Sequence, residues 1–230
     1  MKIIRYNTIN DITIEFQDEY KYTTNTIYQN FKLGQIKNPY DRSLYGVGFL
    51  GEETITHFVN NKCIPSYGAW ANMLERCYNE KLRHKHLAYK DCKVCKEWQN
   101  YQVFRKWYDE NFYDIGEGRM HIDKDILVMG NKIYSPDTCM FVPQRINMIF
   151  MKKNRSVDPD LPQGIRRCVG GYMVSYNTRY LGVHKTLEEA LYFYNIEKRS
   201  HILKIAEEYK DRIPKKVYRA LVNWNVKIAA

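Results

Sequence analysis

Residues 164–199 constrain the fold most, because three short strand-like runs precede a longer amphipathic run there. The short runs are GIRRCV, GYMVSYN and TRYLGV. The longer run begins at Thr186, and Glu189 three residues later completes the pattern of a helix capping box. The sequence therefore predicts a three-stranded sheet followed by a helix.

This stretch resembles an AP2-like DNA-binding domain in its GIR opening, its aromatic second strand, its R-x-LG turn and its T-x-EEA-x-x-x-Y helix. In that family the sheet lies in the major groove of DNA and the helix packs behind it. Arginine suits such a surface because its guanidinium can pair with guanine edges or clamp phosphates. A solvated strand edge is the alternative for the two adjacent arginines. The resemblance implies that these side chains face double-stranded DNA: Arg166, Arg167, Tyr172, Tyr176, Arg179 and Lys185.

The charge of the chain is concentrated in the same region. The net charge is +10, and residues 151–230 hold sixteen Lys and Arg against eight Asp and Glu. Such a surplus attracts phosphates through counterion release. Five further cations follow the predicted helix and form either a second phosphate-contacting arm or a solvated helix end. They are Lys210, Arg212, Lys215, Lys216 and Arg219.

Residues 119–150 predict a second unit of strand, loop, strand and helix. RMHIDKDILV reads as a strand that places His121, Asp123 and Asp125 on one face. GNKIYSPDT reads as a loop and TCMFV as a second strand. A helix follows from PQRINMIFMKK, with Pro143 suited to its first turn. The order predicts a ββα unit.

The anchors RCY, YKDCKVCKEW and HIDKDILVMGNKIYSPDTCMFVPQRIN resemble phage and prophage HNH-type endonucleases over residues 66–150. Members of that family read roughly RCY…VC-x-EW…LDRID…GNY-x-PENCRWV…N. The resemblance implies a ββα fold around one divalent metal, either Mg²⁺ or Mn²⁺. It further implies that Asp123 is the strand ligand and Asn147 the helix ligand of that metal.

The resemblance leaves two candidates for the general base of such an enzyme. Lys124 stands where an HNH enzyme carries its base, and Thr138 stands where the family usually has Asn. His121 lies two residues before Asp123 and could activate water instead. The alternative is that His121 and Asp125 are ordinary strand residues near a solvated edge.

Four cysteines in this region raise the prospect of a structural zinc site. The family resemblance covers Cys77, Cys95 and Cys139, and Cys92 completes a CxxC with Cys95. Four thiolates are a common zinc shell. The alternative is that these are small buried apolar residues, as is common for reduced cysteine.

The rest of the chain predicts an α+β protein of several parts. Residues 1–50 predict a small β unit from KIIRY and ITIEF, and residues 51–151 the HNH-like domain with preceding helices. In those helices Ser66 is a candidate N-cap, and aromatic residues 98–108 read as core. Residues 152–163 predict a linker, and 164–230 the AP2-like domain with a basic helical tail.

These features favour a metal-dependent DNA endonuclease directed by the AP2-like domain. One alternative is a sequence-specific DNA-binding protein whose HNH unit is catalytically degenerate. Another is a phage–host conflict protein that inhibits a protein partner. No run of eighteen apolar residues and no signal-peptide core occur, so we expect no membrane association and a cytoplasmic location in a bacterial host cell.

Overall fold

The computed structural model describes residues 1–52, 58–59, 62–151 and 160–224. Small sheets and helices alternate along the chain, which confirms the predicted α+β class. The chain divides into two compact units. Unit 1 is Met1–Glu110 with Lys132–Ser135, and unit 2 is Asn111–Asn131 with Pro136–Ala230. In the described part, no helix is both long and apolar enough to cross a membrane.

Unit 1 opens with an antiparallel sheet of three strands in the order β1-β2-β3. Strand β2 carries its core, since Ile12 and Ile14 are fully buried. A short helix follows and ends at Gly34, whose φ of +66° suits a left-handed helix end. These elements are β1 (Lys2–Thr8), β2 (Asp11–Glu15), β3 (Thr23–Thr26) and α1 (Tyr28–Leu33).

The helical part of unit 1 is organised by aromatic packing. The expected stripe is buried, with Trp98 and Trp107 rings 4.5 Å apart, so its reading as core is confirmed. Ser66 is not an N-cap, because helix α2 begins one residue earlier and the Ser66 hydroxyl bonds the Tyr101 hydroxyl at 2.9 Å. The elements are β4 (Phe58–Val59), β5 (Lys62–Cys63), α2 (Pro65–Tyr78), α3 (Glu80–Lys85), β6 (Lys93–Val94) and α4 (Tyr101–Asn111).

The ββα order predicted from the sequence is present with shorter strands, and its two paired strands and its helix belong to unit 2. The elements are β7 (Met120–Asp123), β8 (Ile133–Tyr134), β9 (Met140–Pro143) and α5 (Gln144–Phe150). Strands β7 and β9 pair antiparallel. Strand β8 lies in the predicted loop, belongs to unit 1 and pairs there with β6. Pro143 is the last residue of β9 and the N-cap of α5, one position before the predicted one.

The C-terminal sheet and helix also follow the predicted order. The Thr186 hydroxyl accepts a hydrogen bond from the Glu189 N–H at 3.1 Å, and the Glu189 carboxylate accepts one from the Thr186 N–H, so the capping box is confirmed. The elements are β10 (Ile165–Cys168), β11 (Gly171–Tyr176), β12 (Arg179–His184), α6 (Leu187–Tyr209) and α7 (Lys215–Val222).

Helix α6 contributes to two separate hydrophobic cores of unit 2. At about 1.5 Å per residue it is roughly 35 Å long. Its first half covers the sheet β10–β12 through Ala190, against Ile165 and Val174. Its second half packs with the ββα elements and α7. That second core contains Met140, Val142, Ile146, Ile202, Ile205, Ala206, Tyr209, Val217, Leu221 and Trp224.

The ββα elements and the C-terminal sheet thus belong to one compact unit. The sequence predicts two domains here, on either side of residues 152–163. Residues 152–159 of that linker lie outside the described residues, and the description resumes at Asp160.

Candidate nucleic-acid interface and ββα site

The sheet β10–β12 has one face covered by α6 and one open face. Ile165 pairs with Val174 across the first two strands, and both are buried on the helix side. One residue along, Arg166 pairs with Met173, and Met173 pairs with Val183. Because successive side chains of a strand point to opposite faces, this second row lies on the open face.

Exposed cationic, aromatic and apolar groups share the open face. Arg166 is exposed, and its Nε and Nη2 lie 3.2 and 3.0 Å from the Met173 sulfur. Tyr180 pairs with Ser175 on the same face and is 61% exposed. The sequences of the three strands contain no Asp or Glu. The face therefore combines one arginine and one tyrosine with no opposing negative charge from its own strands.

The two tyrosines expected to face DNA lie on the helix side instead, so that part of the prediction is wrong. Tyr176 is buried, its ring contacts Tyr194 edge-on, and its hydroxyl and His201 Nδ1 are hydrogen-bonded at 2.8 Å. Tyr172 packs partly buried against the core beneath the sheet. The position of Val174 explains both placements. Tyr172 and Tyr176 lie two residues away from it on either side of the same strand, so they share its buried face.

The expected arginines are divided between the two sides of the sheet. Arg179 pairs with Tyr176 in the register and forms a 2.9 Å ion pair with Glu197 of α6. Arg167 lies in the row of Tyr172 and His184, and the His184 ring stacks on Phe193 of α6. The prediction that Arg166, Arg167 and Arg179 share one face is therefore wrong, and only Arg166 lies on the open one.

Two further exposed residues of this region are Lys185, which was predicted to face DNA, and Tyr180, which was not. Lys185 is exposed directly after β12, where its backbone N–H donates to the Glu189 carboxylate. Tyr180 was missed by the sequence reasoning. The alternation of buried and exposed positions could have identified it, but a register shift between Val174 and Ser175 changes the count along β12.

The ββα site brings its predicted residues onto neighbouring elements. His121 and Asp123 lie on the same face of β7, paired with Val142 and Met140 of β9. Asn147 is half-buried in α5, which packs on both strands. Thr138 precedes β9 and is also half-buried. Asp125 does not share the strand face, because β7 ends at Asp123 and the chain bends there.

Asp123 causes that bend. Its Oδ1 accepts hydrogen bonds from the backbone N–H groups of Asp125 at 2.8 Å and Ile126 at 2.7 Å. Burial raises the pKa of the Asp123 carboxyl above its usual value, and the two backbone bonds act in the opposite direction. The side chain therefore has a clear structural role as the cap of the turn.

Lys124 is also engaged within the protein. The residue is 7% exposed, and its Nζ donates to Asp125 Oδ2 at 2.8 Å and to the Asn131 carbonyl at 2.6 Å. The Asn131 amide returns a 3.1 Å bond to the Lys124 carbonyl. These bonds close the loop after β7. An ammonium held in this way is a poor proton acceptor for water, so Lys124 does not fit the role of general base.

The residues fit a divalent metal incompletely. Asp123 is a hard oxygen ligand, and Asn147 on α5 offers an amide oxygen. However, one Asp123 oxygen is bonded to backbone, and the positive charge of Lys124 reaches this carboxylate, since it lowers the Asp123 pKa. Among the described residues, no three His, Cys, Asp or Glu side chains are grouped so that they could hold a metal ion.

The cysteines form no metal-binding group in the described part of the chain. Cys77, Cys92 and Cys139 are buried, and burial raises the pKa of the Cys95 thiol to about 11. Zinc binding needs thiolates, which such an environment disfavours in the metal-free protein. The zinc site stays a prediction.

No family model matches the chain, and no curated protein or solved structure is significantly similar to it. The likeness to HNH-type and AP2-like proteins therefore depends on the residues quoted for each.

Proposed function

We propose that the protein binds double-stranded DNA through the open face of β10–β12, and that its ββα unit is a structural relic of a nuclease fold. The observation that carries the proposal is the open-face row of Arg166, Met173 and Val183, in which Met173 is half-buried and the other two are exposed, beside Tyr180 on strands without acidic residues. An arginine and a tyrosine on the same face of a sheet can contact phosphates and base edges together.

The charge distribution supports the same surface. Most of the positive surplus lies in residues 151–230, which contain the sheet. Arg179 is neutralised by Glu197, so Arg166 is the strand arginine best placed to meet a phosphate or a guanine. A single bidentate arginine–guanine contact contributes about 1–3 kcal/mol of discrimination.

The test is a DNA-binding titration of the full chain with a labelled duplex selected from a random-sequence pool. We expect Arg166→Ala to weaken binding by about 1–3 kcal/mol and to lower the salt slope by about one. Arg179→Ala is the matched control, since it removes an arginine from the same sheet but from the helix side. Equal losses for the two variants would refute the assignment of the open face.

A second candidate function, metal-dependent DNA cleavage, is favoured by the placement of Asp123 and Asn147 on adjacent ββα elements. Supercoiled plasmid incubated with Mg²⁺ or Mn²⁺ tests it. Nicking that Asn147→Ala abolishes while DNA binding persists would support an enzyme. Intact plasmid with retained DNA binding would support the proposal that the ββα unit has only a structural role.

A further inference from the structure

A groove of about 580 Å³ lies in unit 2 between helix α7 and the loop after β7. Its loop wall is aliphatic and consists of Ile126, Leu127 and Met129. Met129 is 39% exposed, and Val128 beside it is 50% exposed. Volumes in this range are typical of pockets that accept small ligands or anchoring side chains.

The helix wall presents a different chemistry. Lys216, Arg219, Ala220 and Asn223 line the groove, and their spacing of i, i+3, i+4 and i+7 places them on one face of α7. Val217 and Leu221 lie on the opposite face and are buried in the core. Helix α7 thus turns its apolar face inward and a cationic face toward the groove.

The cations of this wall have no opposing charge nearby in the described part of the chain. Lys216 and Arg219 are exposed and form no ion pair with any described carboxylate. Two of the other three cations of the predicted arm differ, because Lys210 pairs with Glu207 and Arg212 with Glu117. None of the residues that line the groove is acidic.

A buried aromatic side chain adds to the lining. Trp224 is 8% exposed, and its indole Nε1 has no hydrogen-bond partner within the described residues. A buried indole N–H normally finds an acceptor. Because this nitrogen is almost fully enclosed by protein atoms, Trp224 lines the groove with its ring rather than with its N–H.

The loop wall is held in place by the polar groups of the ββα site. Asp123 caps the turn, and Lys124 and Asn131 close the loop by mutual hydrogen bonds. A wall fixed in this way loses little conformational entropy when a ligand binds. The residues that resemble a nuclease centre therefore support the groove.

We propose that this groove binds an acidic peptide segment of a partner protein, with an apolar side chain seated against Met129 and acidic side chains on Lys216 and Arg219. Aliphatic lining accepts a Leu, Phe or Met anchor, and methionine adapts to different anchors. DNA offers the negative charge but no aliphatic anchor. The chain's own last residues, NVKIAA, offer apolar groups but no acidic side chain.

The experiment is selection of random peptides of about twelve residues, which can place anchors at i, i+4 and i+7, on the immobilised full chain. We expect enrichment of peptides that combine Asp or Glu with Leu, Phe or Met. The leading peptide, synthesised with a fluorophore, is then titrated by anisotropy. The affinity of the peptide should fall by about tenfold or more in the double variant Lys216→Glu/Arg219→Glu, and by a similar factor in the single variant Met129→Glu. Lys106→Glu, an exposed cation of α4, should leave its affinity unchanged.

Four results would overturn the proposal. Selection could enrich no acidic peptide, or the leading peptide could bind the double variant as tightly as the wild-type chain. DNA affinity could fall in the double variant while no selected peptide depends on it, which would assign the groove to nucleic acid. Peptide binding that appears only after deletion of residues 225–230 would identify the chain's own end as the occupant. The effect of Arg166→Ala on DNA binding tests only the proposed DNA-binding function. It does not test the proposal that the groove binds a peptide.

Discussion

The two strand-and-helix regions of unit 2 use their polar side chains in opposite ways. In the ββα region, Asp123 and Lys124 are buried and bonded to backbone groups of their own loop. On the C-terminal sheet, Arg166 and Tyr180 stay exposed on the open face. Residue types typical of a functional site therefore have two different roles in this unit. Turned inward they stabilise a turn, and turned outward they remain available to a ligand.

The largest expected effect tests the inward half of this comparison. Asp123→Ala removes the acceptor of two backbone N–H groups, of Asp125 and Ile126, and should lower the free energy of unfolding by about 2–4 kcal/mol. Urea denaturation measures it. Asp137→Ala, an exposed carboxylate of the same unit, should change stability by less than about 0.5 kcal/mol. Equal stabilities of the two variants would contradict the capping role.

The next effect is a pH dependence from the same carboxyl group. Because burial raises the native pKa of Asp123 above 3.8, the folded state retains a proton that the unfolded state has released between those two pKa values. The free energy of unfolding therefore falls as pH rises through that window, by about 1.4 kcal/mol per pKa unit.

Asp123→Asn keeps an acceptor oxygen and removes the charge, so this fall should disappear. Urea unfolding of both proteins across the acidic range measures the difference. If the variant shows the same slope as the wild-type chain, Asp123 does not have a raised native pKa.

A smaller effect is expected at the β11–β12 hairpin, next to the open face. Asn177 and Thr178 have φ values of +46° and +69°. A β-branched residue is strained there, whereas glycine is not. Thr178→Gly should raise the free energy of unfolding by about 0.5–1 kcal/mol, as thermal denaturation would measure. Asn177→Gly should raise the free energy of unfolding by less, because asparagine adopts a positive φ more readily than threonine does. Destabilisation by Thr178→Gly would mean that the hydrogen bond from the Thr178 hydroxyl to the Asn177 carbonyl outweighs the backbone strain.

The smallest expected effect tests the outward half of the comparison. Arg166→Ala and Tyr180→Ala should each leave the free energy of unfolding within about 0.5 kcal/mol of the wild-type value, because both side chains are exposed. The same variants should weaken DNA binding. A loss of stability that matches the loss of binding would instead make the open face a structural surface.

Local patterns in the sequence were sufficient for the order of elements and for the capping box at Thr186 and Glu189. They were insufficient where a side chain's face depends on its neighbours. Val174 at the centre of β11 is buried under α6, which fixes Tyr172 and Tyr176 on the covered side. Two adjacent arginines, Arg166 and Arg167, cannot share one face of a strand.

The ββα site and the groove were harder to predict for a different reason. The end of β7 is set by hydrogen bonds that the backbone N–H groups of Asp125 and Ile126 donate to the Asp123 carboxylate. The groove joins Met129 to Arg219, far apart in the sequence, so periodicity gives no indication of it. Long-range packing decides both features.

The shared use of α6 has a practical consequence for dissecting the protein. A fragment cut before β10 to isolate the C-terminal sheet would carry the second half of α6 without the ββα elements. Ile202, Ile205 and Tyr209 would then lose part of their cover. Such a truncation would expose a hydrophobic helical surface that is prone to self-association. Point variants in the intact polypeptide avoid this artefact.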